Sequence, residues 1–289
     1  MTRRACLILL ACSLAACGGS ELTAEDRKLW APGPPDRSAV PVLLYDGVSA
    51  EVFDRHMALL EVAGYDTITL DELARFVNRE PVRLPAHPLL ITFDGARDDD
   101  RAASDAALKS RGFNAVLFVN VGEVEAENPD YLTWDEINAM QASGRWDVQL
   151  QSGTGHRLIQ HGSGPDDVGP FYAYRGSEEV LGGWRERVFS DVSDAEQQLA
   201  HQVRGYRPLA FAPPYGNYGQ AGTNDPHIPR ELLARLLLSF QLVFTQDRSG
   251  LASPGARNPL GRFEITPDVT EQRLHSLLTA GAPLPTAGS

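Results

Sequence analysis

The sequence predicts an α/β fold, an irregular (β/α) barrel of seven or eight units, with an open doubly wound sheet as the alternative. Three observations carry that prediction. Short apolar runs alternate with longer amphipathic stretches from Val40 to Ile265, the rhythm of parallel βα units. Hydrophobic residues make up 43% of the chain and charged residues 22%, which excludes a disordered polymer without a core. A length of 289 residues suffices for one large domain.

The chain opens with Arg3-Arg4, an apolar run from Ala5 to Leu14, and then Leu14-Ala15-Ala16-Cys17. That run is too short to span a bilayer and reads as an export signal. Leu-Ala-Ala-Cys followed by Gly18 resembles the bacterial lipobox, so residues 1–16 are expected to be a lipoprotein signal peptide and Cys17 the lipidated first residue of the mature chain. All three cysteines, Cys6, Cys12 and Cys17, lie in this segment. The body of the protein therefore has no disulfide framework and no cysteine-based zinc site. Residues 17–39, rich in proline and glycine, read as an extended tether. Residues 40–280 form the barrel, and 281–289 read as a disordered tail. The expected location is the bacterial cell envelope, at the outer membrane, through the lipid.

Within the barrel the candidate strands are Val40–Tyr45, Asp66–Ile68, Leu89–Phe93, Ala115–Val119, Asp147–Leu150, Leu209–Ala212, Leu242–Thr245 and Arg262–Ile265. Phe53, Met57 and Leu60 share one face of a helix between the first two, and Leu232, Leu233, Leu236, Leu237 and Phe240 mark a later one. Thr69 with Glu72, Thr133 with Glu136, and Ser193 with Glu196 have the capping-box spacing of helix starts. The connection from Gln151 to Leu209, with its Gly162–Pro170 stretch and Phe171-Tyr172-Ala173-Tyr174, is far longer than a structural turn requires. The net charge of −12 repels phosphate backbones, so nucleic acid is not an expected partner.

In a βα barrel the functional side chains stand at the C-terminal ends of the strands. Those positions hold Asp46, Asp94, the segment from Gln151 to His156, Pro213-Pro214-Tyr215-Gly216, and Thr245-Gln246-Asp247. Carboxylates, a histidine and a tyrosine facing one mouth suit a sugar or a hydrolytic site. Tyr215 could stack on a sugar ring or simply form a tight turn. Trp134, beside its capping box, is a second candidate for sugar contact and also a candidate core residue. Asp46 serves equally well as a site carboxylate or as the N-cap of the following helix. Asp98-Asp99-Asp100 offers ligand chemistry, yet also suits the acidic first turn of a helix.

From Val40 to Ile265 the sequence resembles the polysaccharide deacetylases (NodB-homology, carbohydrate esterase family 4), above all the subgroup acting on biofilm poly-N-acetylglucosamine. Pro41-Val-Leu-Leu-Tyr45 resembles the subgroup's opening strand, and Gly64-Tyr65 with Thr69-Leu-Asp-Glu-Leu73 its next segment. Leu90-Ile-Thr-Phe-Asp94 matches the first motif, Thr-Phe-Asp-Asp-Gly, up to its first Asp. Ser152 and His156 match parts of the His-Ser-x-x-x-His motif, and Phe211-Ala-Pro-Pro-Tyr-Gly216 resembles the third. Tyr172 with Arg175 resembles the insertion. The resemblance implies a divalent metal (Zn, Mn, Co or Ni) held by one Asp and two His, a neighbouring Asp acting as base, and an N-acetylated polysaccharide as substrate.

The chain departs from that pattern at the ligands. Asp94 matches the base, but Gly95 stands where the metal-binding Asp belongs, and Gln151 replaces the first histidine. His156 alone is retained, Tyr45-Asp46 replaces the subgroup's Tyr-His, and no histidine stands directly after the last strand as general acid. Losing a group that merely orients a ligand costs about 10–100-fold, so losing two ligands moves a ~1 μM site to ~10 mM or weaker. The expectation is a degenerate member that recognises an N-acetylated glycan without a bound cofactor, with deacetylation lost or strongly impaired. The alternatives are an active deacetylase with a substitute metal site from Asp46, Asp94, His156 and His161, or a glycosidase using Asp46 and Asp94.

Overall fold

The computed structural model describes residues 22–97 and 101–279. Cys17, the signal segment, Asp98–Asp100 and the tail after residue 279 lie outside the described residues. In chain order the strands are β1 (Val40–Tyr45), β2 (Tyr65–Thr67), β3 (His87–Gly95), β4 (Ala115–Asn120), β5 (Trp146–Ser152) and β6 (Leu158–Gln160). They continue with β7 (Val168–Pro170), β8 (Ala210–Phe211), β9 (Leu242–Thr245), β10 (Leu251–Ala252), β11 (Leu260–Gly261) and β12 (Phe263–Ile265). The helices are α1 (Ala24–Leu29), α2 (Ala50–Val62), α3 (Leu70–Val77), α4 (Arg101–Arg111) and α5 (Val121–Glu125). After them come α6 (Trp134–Ala142), α7 (Leu181–Gln202), α8 (Ile228–Ser239) and α9 (Glu271–Thr279).

Strands β1, β3, β4, β5, β8 and β9 lie side by side, each parallel to the next. The ring closes through a strand broken at Arg262: β11 pairs with β9 and β12 with β1, both parallel. The result is the expected irregular barrel rather than an open sheet. Alternation along each strand divides the apolar residues between two cores. Leu43, Ile91, Leu117, Val119, Val148 and Leu150 face outward and pack under the helices with Phe53, Met57 and Ile137. Val42, Leu90, Val116, Phe118, Leu242 and Phe244 fill the barrel. Leu70, Leu73 and Phe76 of α3 join that inner core. Because β2, just before α3, pairs with the first residues of β3, α3 seals the N-terminal end and leaves the C-terminal end as the mouth.

The capping boxes at Thr69 and Thr133 start α3 and α6 as expected. Ser193 does not start a helix. It lies inside α7, where its hydroxyl accepts a hydrogen bond from Arg235 Nη2 at 2.6 Å; the Ser-x-x-Glu spacing is equally that of neighbours on a continuous helix face.

The expected tether also needs correction. A capping box of Thr23 and Asp26 starts α1, Leu22 packs against the outer core, and Trp30 is 1% exposed with its ring edge-on to His275 at 5.0 Å. Arg55 of α2 bridges Asp26 and Glu271 of α9. An apolar anchor two residues before a proline-rich stretch has bound what composition alone made a spacer. Trp30→Ala should therefore lower stability by about 3 kcal/mol, read as a shifted urea midpoint; an unchanged midpoint would return residues 22–30 to the tether.

The long connection after β5 is ordered as well. It contains the β6–β7 hairpin, antiparallel with Ile159 opposite Gly169, and then the buried run Phe171-Tyr172-Ala173. Arg187 of α7 lies 4.2 Å over the Phe171 ring and donates to the carbonyls of Phe171 and Tyr174. Those aromatics serve the core, and the exposed apolar residues of the insertion are Leu158 and Val168 on the hairpin and Val180.

Candidate functional site at the barrel mouth

Three of the residues selected from sequence meet at the mouth. Asp46 follows the last residue of β1, Asp94 is the penultimate residue of β3, and His156 lies four residues past β5. Burial pulls the His156 imidazole below its ordinary range, the charges of Asp94, Glu123 and Asp46 draw it back up, and Arg97 works against them. Tyr215 completes the group: its ring stacks on His156 with centroids 4.9 Å apart and planes 15° from parallel.

Each position has a local cause. Asp46 does not cap α2. Ser49 does, accepting from the Val52 amide, while the Asp46 amide donates to the Ile265 carbonyl and its side chain is exposed. Tyr215 sits in a short 3₁₀ turn, Pro214–Gly216, with φ +60, a left-handed backbone that costs a tyrosine about 1–2 kcal/mol. The turn is held from behind, because the Gly216 carbonyl accepts from Thr245 Oγ1 at 2.9 Å and Gln220 Nε2 at 2.7 Å. That hold keeps the ring 49% exposed and against His156. A cavity of about 130 Å³ opens beside Asp46 and Asp94, walled by Tyr45, Phe53, Phe93 and Trp146.

The residue most plainly missed in the sequence is Arg262. Its Nη1 and Nη2 meet the two carboxylate oxygens of Asp94 at 2.7 and 2.8 Å, with the arginine side chain 0% and the aspartate 18% exposed. The guanidinium also lies 5.5 Å from the Phe118 ring centre and 6.0 Å from that of Phe244. The available signal was an arginine in the middle of the apolar closing segment from Leu260 to Ile265, a position that burial forbids without a partner. Asn120 was also unnoticed; the hydroxyl of Ser152, the motif serine, donates to Asn120 Oδ1 at 2.8 Å between the ends of β4 and β5.

Trp134 is engaged elsewhere. Its indole N–H donates to Glu125 of α5 and its ring packs on the outer core. His161 belongs to the hairpin, stacked on Tyr174 at 4.4 Å.

The family model described as Polysaccharide deacetylase matches residues 82–224. The chain carries a polysaccharide deacetylase domain. Its barrel is similar to that of a de-N-acetylase from Aggregatibacter actinomycetemcomitans, with a TM-score of 0.70 at 17% identity over 83% of this chain and 99% of that one. IcaB from Ammonifex degensii gives 0.66 at 23% identity over 86% and 98% of the two chains. The BpsB deacetylase domain from Bordetella bronchiseptica gives 0.66 at 16% over 81% and 98%. At these identities the likeness shows the fold. No curated protein sequence matches the chain.

Polysaccharide deacetylases are generally metal-dependent, and the donors present here do not fit a metal. Gly95 has no side-chain donor, and Gln151, 3% exposed, offers a neutral amide whose oxygen has no hydrogen-bond partner. Both oxygens of Asp94 are engaged by Arg262. Among the described residues no three His, Cys, Asp or Glu side chains come together in a set that could hold an ion. The substitute set of Asp46, Asp94, His156 and His161 is therefore not assembled, since His161 is committed to Tyr174. What the mouth does offer is a flat, partly exposed aromatic face beside hydrogen-bonding carboxylates, the combination that grips the apolar face and the hydroxyl rim of a sugar ring.

Proposed function

We propose that this polysaccharide deacetylase family member is an exported lipoprotein that binds an N-acetylated glycan at the barrel mouth without metal-dependent hydrolysis. The observation that carries the reading is the state of Asp94, clamped bidentately by a buried arginine and followed by Gly95 instead of a second aspartate. A carboxylate with both oxygens so held cannot turn to a metal ion, and one imidazole alone cannot displace enough water from a dication to order it. The His156–Tyr215 stack supports the binding half of the reading, because it offers a preformed platform that needs no metal.

The test uses the purified mature protein. Zn, Mn, Co and Ni content should be well below one ion per chain, and N-acetylglucosamine oligomers should bind equally with and without a chelator and release no acetate. Stoichiometric metal with chelator-sensitive acetate release would make it an active deacetylase with a different ligand set. Cleavage of the oligomer chain would instead revive the glycosidase built on Asp46 and Asp94.

The anchor is tested separately. Wild type should incorporate a metabolic fatty-acid label and Cys17→Ser should not; equal labelling of both would remove lipid from the proposal.

A further inference from the structure

We infer that Asp191, on the middle of α7 and far from the mouth in sequence, is the positioning residue that fixes His156 for glycan binding. The inference rests on the binding reading above. Asp191 accepts four hydrogen bonds from the backbone and side chains that lead to His156. Gly153 N donates to Oδ2 at 3.0 Å, Thr154 N and Thr154 Oγ1 donate to Oδ1 at 2.7 and 2.8 Å, and the Tyr172 hydroxyl donates to Oδ2 at 2.5 Å. Such charge-assisted bonds to consecutive amides fix both the place and the orientation of a loop.

The loop is gripped so closely that its glycines have no room for a side chain. A Cβ at Gly153 would stand 2.8 Å from Asp191 Oδ1, and one at Gly155 would stand 2.8 Å from the Tyr172 ring. From the other side the Gly122 amide of α5 donates to the Gly153 carbonyl at 2.8 Å, and a Cβ at Gly122 would lie 2.7 Å from that oxygen. Residues 153–155 are thus clamped between α5 and α7, and His156, the next residue, leaves the clamp with its direction set. The His156–Tyr215 stack joins this clamp to the turn after β8. Without Asp191 the segment would have two glycines and two unpaired amide donors, and the imidazole would lose its fixed place on the Tyr215 ring.

The experiment reads the stack itself. In wild type the His156 ring protons should be shifted upfield by the Tyr215 ring current, an assignment made by their return in Tyr215→Ala. In Asp191→Asn one amide N–H must face a backbone donor, so the shift should collapse toward the free-histidine position and affinity for N-acetylglucosamine oligomers should fall about tenfold, the equivalent of one charge-assisted hydrogen bond. Thr154→Val, at an exposed position that loses only the hydroxyl bond, should move both readouts in the same direction by a smaller amount, and it serves if Asp191→Asn does not fold. Leu278→Ala, a destabilising change in α9, should leave the His156 signals in place. Unmoved His156 signals in both Asp191→Asn and Thr154→Val, or equal movement in Leu278→Ala, would overturn the inference whatever the affinities do. A wild type that shows the shifted signals and binds no oligomer would overturn the glycan reading and leave the clamp standing.

Discussion

Arg262→Met is expected to destabilise the protein by about 3–5 kcal/mol, lowering the melting temperature by about 10 °C for a domain of this size. The loss comes from the partner left behind. Asp94 is only 18% exposed, and its charge is matched at 2.7 Å by a guanidinium with no solvent contact of its own. Methionine fills much of the same volume between Phe118 and Phe244, so lost packing is the minor contribution. Asp94→Leu alone should be comparably damaging, since it strands the buried cation. The double variant Asp94→Leu/Arg262→Met should regain most of the stability, because two apolar side chains in an apolar barrel replace a pair whose desolvation offsets much of its attraction. Thermal unfolding of the three variants checks this. If Arg262→Met melts like wild type, the ion pair does not carry the closure of the ring.

The second large effect concerns metal affinity. Inserting an aspartate between Asp94 and Gly95, together with Gln151→His, should raise affinity for zinc by at least about 10⁴-fold, from ~10 mM or weaker into the ~1 μM range. The insertion point matters. Gly95 has φ +91 and Ala96 φ +58, so a residue placed before Gly95 leaves glycine in the left-handed turn that only glycine adopts without strain. Gln151 can be replaced at little local cost, because its buried amide oxygen has no partner to lose. Asp94 stays on Arg262, and His156 supplies the third ligand. Isothermal titration of both proteins decides the matter. No gain would mean that the motif alignment is wrong or that the mouth has been remodelled beyond repair by two ligands. Acetate release is not expected to return, since the general-acid histidine is still lacking.

The parts of this molecule legible in its sequence are those governed by near neighbours. Strands Val40–Tyr45 and Leu242–Thr245 match residue for residue, because an unbroken apolar run admits only a strand buried on both faces. Thr69 and Thr133 announced their helices through bonds spanning three residues. Asp46, Asp94 and His156 were found together because barrel topology brings every strand end to one rim.

What escaped depends on pairing over long distances. The ion pair of Asp94 and Arg262 spans 168 residues, and no local period marks an arginine as buried rather than exposed. Asp191 looks like an ordinary polar residue of an amphipathic helix until the loop it grips is folded beside it. Ser193 misled for the opposite reason, since a local signal was real in spacing but had a continuous helix already in place. Trp134 suited either sugar contact or the core by its place near the rim, and no local period announced that its indole N–H would go to Glu125.

Were Cys17 lipidated as proposed, the docking of α1 would limit how high the barrel could stand above a membrane. Leu22 packs on the domain and stands five residues after Cys17 in the sequence, a separation that cannot exceed about 17 Å. Arg55 ties Asp26 of α1 to Glu271, the first residue of α9, so α1 is held to the barrel at two points, by this ion pair and by Trp30. A lipid on Cys17 would then leash the barrel across a shallow aqueous gap. The acidic domain would be pushed off anionic headgroups over about 8 Å at physiological salt. The stand-off would thus be a compromise between a short leash and like-charge repulsion, shrinking as ionic strength rises.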